Sequence, residues 1–222
     1  MVPFSFAGQE WHLLRSGALW WEAESALLVA DLHLEKASYF ARFGQMLPPY
    51  DSRETLERLA AAIKETGARR VFCLGDSFHD NRGAARLEPQ AAERLAAMTK
   101  ASDWVWITGN HDDAGPQPGG SVVDELALGS FALRHEARPG HAGYELSGHF
   151  HPKLRLSVRG RRIVRPCAVA SDRRMILPAF GALTGGMDAA DPVIVAALQP
   201  AQAIRALVVA GSQLVQVPRW SA

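Results

Sequence analysis

Seven side chains of this sequence have the types and spacing of metal donors: Asp31 and His33, Asp76, Asn110, His135, and His149 with His151. They occur in order as Asp-x-His, Gly-Asp, Gly-Asn-His, His and Gly-x-His-x-His. Carboxylate, imidazole and amide without thiolate suit catalytic manganese, iron or zinc rather than a closed structural zinc site. Seven donors exceed what one such ion with an open position takes, but suit two ions sharing a carboxylate, for which Asp76 is the natural bridge. Two divalent ions against two aspartates and a hydroxide leave positive charge to attract a phosphate oxyanion. The chemistry expected is phosphoester hydrolysis by metal-activated hydroxide. Singly, each of these residues reads as well as a turn former or strand-end cap; the ordered set is what points to a centre.

Strands must deliver them. Ala26 to Ala30, Val71 to Leu74 and Trp104 to Ile107 are continuously apolar, as strands covered on both faces are, and each stops at candidate donors. Asp31 and His33, two apart on an extension of the first strand, would share one side. Between these runs the pattern turns helical. Asp51 opens a helix with Glu54 as capping-box partner, Leu56, Leu59, Ala60 and Ile63 on one face and Gly67 as the stop; Pro89 opens another that runs to about Lys100. Strand, helix, strand, helix, strand is the signature of a parallel α/β sheet, whose ligands bind at the carboxyl ends of the strands. Phe4 to Phe6, Trp11 to Leu14 and Ala18 to Trp21 form an antiparallel opening meander in which the tryptophans pack. From Leu34 to Tyr50 the chain reads as a loop with room for a helical turn.

Beyond Asp113 short strands are expected at Val122 to Leu128, Phe131 to Arg134, Tyr144 to Leu146, Leu154 to Val158, Ile163 to Arg165, Met175 to Leu177, Val193 to Leu198, Ala203 to Val209 and Leu214 to Val217. They form a mainly antiparallel sheet against the first. With 222 residues and no linker or repeat, the chain fits one domain over residues 1–222.

The formal net charge is +1, so a nucleic-acid partner needs a local patch or metal. Lys153, Arg155, Arg159, Arg161, Arg162, Arg165, Arg173 and Arg174 crowd the segment after His151, whose hairpin turn at Val158 to Arg161 makes it read equally as a phosphate-binding ribbon or a solvated face. Lys36, Ser38 and Arg42 follow the first donors and form a smaller candidate phosphate-contact set. Cys73 and Cys167 read as buried small hydrophobes of a reducing compartment. Without a leader pattern or an apolar run of about 20 residues, the expectation is a cytoplasmic protein with no membrane partner.

The motif series resembles the calcineurin-like metallophosphoesterase superfamily. The resemblance implies an α/β sandwich of two mixed β-sheets flanked by helices. One ion would take Asp31, His33, Asp76 and His151, the other Asp76, Asn110, His135 and His149. His111 would act at the leaving group or scissile phosphate as a catalytic residue. Many phosphatases of the superfamily have Asp three residues after the Gly-Asp motif; His79 stands there, and Gly-Asp-Ser-Phe-His resembles the repair nucleases, where this His helps hold the phosphate. Asp31 to Ser38, Leu47 to Asp51, Gly148 to Lys153, Arg165 to Cys167 and Leu177 to Gly186 resemble the ligase-associated DNA damage response endonuclease (PdeM) family. That implies DNA cleavage in bacterial DNA repair, with a DNA ligase, a helicase and an exonuclease as partners. The alternatives are a phosphodiesterase of small phosphodiesters or nucleotides, and a non-catalytic, metal-stabilised partner protein.

Overall fold

The computed structural model describes residues 1–112 and 118–221. Strands β1 (Val2–Phe6), β2 (Gln9–Leu13) and β3 (Leu19–Trp21) form the antiparallel meander. Next, β4 (Ala26–Val29) pairs antiparallel with β3 and parallel with β5 (Arg70–Leu74), beyond which β6 (Asp103–Ile107) and β7 (Ser121–Val123) continue in parallel. The crossovers are a short helix α1 (Lys36–Ala41), the longer α2 (Asp51–Thr66), and α3 (Pro89–Ala101). The second half supplies β8 (Glu125–Leu128), β9 (Phe131–Arg134), β10 (Tyr144–Ser147), the hairpin β11 (Lys153–Val158) and β12 (Arg161–Pro166), β13 (Ala168–Ala170), β14 (Arg174–Ile176), helix α4 (Pro192–Ala197), β15 (Ala203–Ala210) and β16 (Gln213–Ser221). The second sheet has the order β16-β15-β13-β14-β10-β9-β8, parallel at β9-β10 and β10-β14 and antiparallel elsewhere.

Period-two alternation sorts the side chains of the central strands onto two buried faces. Leu28, Phe72, Leu74, Val105 and Ile107 face the other sheet and pack with Phe131, Leu133, Leu146 and Met175. Leu27, Val29, Val71, Cys73, Trp104 and Trp106 face outward and are covered by Leu56 and Leu59 of α2 and Leu95 of α3. A third apolar cluster joins the outer face of the second sheet, through Val169, Ile176 and Ile204, to Ile194 of α4 and Leu154 of the hairpin. The layers are thus helices, sheet, sheet, and helix with hairpin. The tryptophans pack as expected, Trp11 lying 4.5 Å from Trp21 and 5.1 Å from Phe131 between ring centroids.

Three expectations about elements change. Val193 to Leu198, read as a strand from its β-branched residues, is α4: the Asp191 carboxylate accepts from the Val193 N–H at 3.0 Å and Pro192 occupies the first turn, an N-cap and proline start that outweigh β propensity. Val122 to Leu128 is not one strand. It breaks at Asp124, leaving β7 in the first sheet and β8 at the edge of the second. Finally, Asp51 and Glu54 make no capping box, because Tyr50 is the N-cap residue. The Asp51 carboxylate instead accepts from the Ala37 N–H at 3.1 Å, tying α1 to α2.

Candidate metal centre

Because β4, β5 and β6 run parallel in one sheet, their carboxyl ends share a rim. The parallel pair β9 and β10 brings His135 and Gly148 to Phe150 to the same rim from the second sheet, and the Gly148 N–H donates to His135 O at 2.8 Å. Strand alternation does not account for the way Asp31 and His33 face the centre. Both have left-handed backbones, φ 53° and 44°, beyond the end of β4, as do Asp76, His149 and His151. Non-glycine residues rarely adopt this conformation. Here the neighbouring chain holds it: Asp31 N–H donates to Gly75 O at 3.2 Å and His33 N–H to Asp76 O at 2.9 Å.

The motif glycines are required by close approach. A Cβ on Gly75 would lie 2.2 Å from His135 Nδ1, and Gly75 itself has φ 78°. A Cβ on Gly109 would lie 2.2 Å from Asp76 Oδ1. Gly75→Ala is therefore expected to strain the backbone and displace His135, lowering stability by about 1–3 kcal/mol. A thermal melt together with the metal content of the purified variant checks this, and an unchanged melt with full metal content would refute it.

All seven expected donors meet at the rim, and six of them fall into two groups. Asp31, His33 and His151 form one, Asp76, His135 and His149 the other, with the potential ligand atoms of each within 4.8 Å of one another. Asp76 faces both: its Oδ2 is 3.7 Å from His33 Nε2 and its Oδ1 is 3.5 Å from His135 Nε2. Asp31 accepts the His149 N–H at 3.0 Å and lies 3.4 Å from His151 Nε2. Asn110 Oδ1 stands 2.9 Å from His135 Nε2.

The donor chemistry fits a pair of cations. His135 Nδ1 donates to Leu74 O at 3.0 Å, so in the neutral ring Nε2 is a bare lone pair. That lone pair faces Asn110 Oδ1, His149 Nδ1 at 3.0 Å and Asp76 Oδ1. Four acceptor atoms thus converge with at most one proton among them, an arrangement that a cation relieves. In the other group His33 Nε2 faces His151 Nε2 at 3.2 Å. Burial first, then the neighbouring His151, holds the His33 pKa far below the ordinary imidazole value. Burial first, then His135, lowers that of His149. Neutral imidazole is the ligand form.

His79 and His111 lie beside these groups, and with His33 they form a third set whose potential ligand atoms are within 4.8 Å of one another. Their rings stack at 4.9 Å, and His111 Nδ1 donates to His79 O at 3.0 Å, which leaves His111 Nε2 as the working nitrogen. His79 packs against Tyr39 and Phe40 at 4.8 and 5.4 Å, and burial with the neighbouring His111 pushes its pKa down to about 4.

Two positioning residues escaped the sequence reading. Asp112 is buried and accepts from the Gly109 N–H at 3.2 Å and the Phe78 N–H at 2.9 Å, binding the Asn110–His111 turn to the Asp76 turn. The available signal was an acid directly after Gly-Asn-His. Arg86 donates to Asp80 Oδ2 and to Ser38 Oγ, each at 3.0 Å, and nothing local in the sequence marks it.

The expected phosphate contacts divide. Lys36 adds, after burial and the neighbouring histidines, to the lowering of the His33 pKa, and Lys153 lines a cavity together with His151, its Nζ donating to Thr184 O at 3.1 Å. Ser38 and Arg42 belong to the Arg86 network, Arg42 lying 3.6 Å from Asp80 Oδ2. The hairpin was correctly foreseen, but its register puts Lys153, Arg155 and Arg162 on one face and Arg161 and Arg165 on the other. Arg155 lies 3.9 Å from Asp188. Arg159, Arg161 and Arg162 are exposed at the tip, roughly 17 Å along the strand from Lys153 at about 3.4 Å per residue, and the structure does not bring them to the donors. Arg174, from the same basic segment, is buried and donates to main-chain carbonyls.

Two packed mixed sheets with convergent Asp, His and Asn side chains on one rim define a metal-dependent phosphoesterase. The family model described as calcineurin-like phosphoesterase matches residues 25–162, and the chain belongs to that family, whose members use divalent metals. Among solved structures the chain is similar to the nuclease MPE of Pseudomonas putida, with 31% identity, 97% of this chain and 98% of that chain covered and a TM-score of 0.75. It is also similar to Yfce, a phosphoesterase from E. coli, with 16% identity, 86% and 97% of the chains covered and a TM-score of 0.42. No curated protein matches the chain. Among the described residues no helix is long and apolar enough to cross a membrane.

Proposed function

We propose that this chain is a two-metal phosphodiesterase that acts as a DNA endonuclease in bacterial DNA repair, in the cytoplasm and in company with a DNA ligase, a helicase and an exonuclease. The carrying observation is Asp76, whose two carboxylate oxygens each face one donor group. In this reading one ion is held by Asp31, His33, Asp76 and His151 and the other by Asp76, Asn110, His135 and His149. The ions are manganese, with iron or zinc as alternatives. When bound, such a pair lowers the pKa of an attacking water and draws charge from the phosphate. His111, its Nδ1–H anchored on His79 O, delivers a proton from Nε2 to the departing oxygen in its imidazolium form. His79 lies beside it to hold a phosphate oxygen, and Lys36 and Lys153 add positive charge. The apolar layer between the sheets draws on both halves of the chain, in keeping with one domain over residues 1–222.

DNA as the substrate is supported by the likeness to a nuclease over nearly the whole chain and by His79 in place of an aspartate. The test is hydrolysis of bis(p-nitrophenyl) phosphate and of linear, nicked, single-stranded and supercoiled DNA with manganese, magnesium or zinc, with Asp76→Ala as control. Hydrolysis of the small diester without cleavage of any DNA would move the reading to small phosphodiesters; no difference from Asp76→Ala would remove catalysis from this centre. Neutralising Arg159, Arg161 and Arg162 together is expected to raise KM for DNA about tenfold at moderate salt, as lost phosphate contacts do, and to leave the small diester unaffected. Equal effects on both substrates would count against DNA contact by the hairpin.

A further inference from the structure

A cavity of about 250 Å³ has His151 among its lining residues. It is lined by Arg15 and Arg58 from the first half of the chain and by Lys153 and Arg165 from the hairpin, and no aspartate or glutamate is among its described lining residues. These cations direct their hydrogen bonds to neutral carbonyl oxygens. Arg15 donates to Gly211 O at 3.1 and 3.0 Å, Arg58 to Ser16 O at 3.0 Å, and Lys153 to Thr184 O at 3.1 Å. Arg58 is further fixed by stacking over the Phe180 ring at 4.9 Å. Glu54, one helical turn before Arg58, acts on its charge but is exposed and outside the cavity.

Arg15, Arg58 and Lys153 bring three charges to this concavity without an anionic partner, while Arg165, which donates to Val164 O at 3.0 Å, stands at its edge from the other face of the hairpin; the three repel one another unless an anion enters. The volume lies just below that of ligand pockets, roughly 300–1,000 Å³, so it suits a phosphate with part of its nucleotide and is too small for a duplex. We propose that this cavity is a second phosphate subsite, holding a phosphate that flanks the scissile one in the strand being cut. The assignment rests on the nuclease reading for the strand, while the site's preference for phosphate stands on the cavity alone. Lys153 lines the cavity together with His151, so the subsite adjoins the donor groups.

The experiment measures inhibition of bis(p-nitrophenyl) phosphate hydrolysis by trithymidylate without a terminal phosphate, and with one at either end. In the wild-type protein one terminal phosphate is expected to lower the inhibition constant about tenfold, the effect of one added charge-assisted contact. The double variant Arg15→Gln, Arg58→Gln should lose that difference while keeping kcat/KM for the small diester, and Arg58→Lys should retain most of it. A terminal-phosphate effect that is absent from the wild type, or undiminished in the double variant, would overturn the subsite. So would a parallel fall in small-diester hydrolysis, which would mark Arg58 as structural. Failure of the nuclease reading shows separately, as inhibition by the phosphorylated trinucleotide without cleavage of any DNA.

Discussion

Asp76→Asn is expected to abolish turnover and to leave the protein with less than one equivalent of tightly held metal. Asparagine keeps the shape of the side chain but removes the negative charge that both donor groups share. Each group loses its link to the other, and two divalent ions would be left with Asp31 as the only carboxylate of the set. The loss should exceed that of a single preorganised electrostatic contact, about 4 kcal/mol or roughly a thousandfold in rate. The backbone need not collapse, because Asp76 O still accepts from the His33 N–H and an asparagine oxygen can still accept from the His111 N–H. Metal analysis and turnover of the small diester are the readouts. Full metal content with near-normal turnover would show that Asp76 does not bridge.

His111→Ala is the complementary case. Its ring is outside both donor groups and held by His79 O, so its removal should spare metal content while kcat falls by about 10²–10⁴-fold, the range of a general acid. A substrate with a good leaving group separates two roles. If His111 protonates the departing oxygen, p-nitrophenolate, which needs no proton, should suffer far less than an alkoxide leaving group. An equal loss on both would assign His111 to charge stabilisation instead.

The convergence of the candidate donors was legible because of where they stand. Ala26 to Ala30, Val71 to Leu74 and Trp104 to Ile107 are buried on both faces, so a polar residue that ends such a run has little choice but the rim. How they reach it was not legible: a strand pattern says nothing of the left-handed turns at Asp31, His33 and Asp76, which depend on hydrogen bonds to a segment more than forty residues away. Arg86 and Arg58 were hidden for a related reason. An arginine on a helical turn looks like solvated surface until the fold shows what it points at, here Asp80 and the Phe180 ring. In the hairpin, a run of cations in sequence is divided by strand pairing between two faces, which a linear reading does not show. The Val193-Ile194-Val195 run was misread by giving composition more weight than the Asp191-Pro192 start before it.

The centre takes donors from both sheets, and Asp31 meets the His149 amide across 118 residues of chain. Each of the two groups joins first-sheet carboxylate to second-sheet imidazole. An ion gripped in either group is therefore a reversible staple between the two layers, closing a loop of the length for which a covalent cross-link removes about 4.7 kcal/mol of unfolded-state entropy. With both groups occupied, the layers would part only after the ions had left. Resistance to a protease then becomes a clock for metal loading: the loaded protein should be cut at the rate of ion release, and the stripped protein at the faster rate at which the sheets separate unaided.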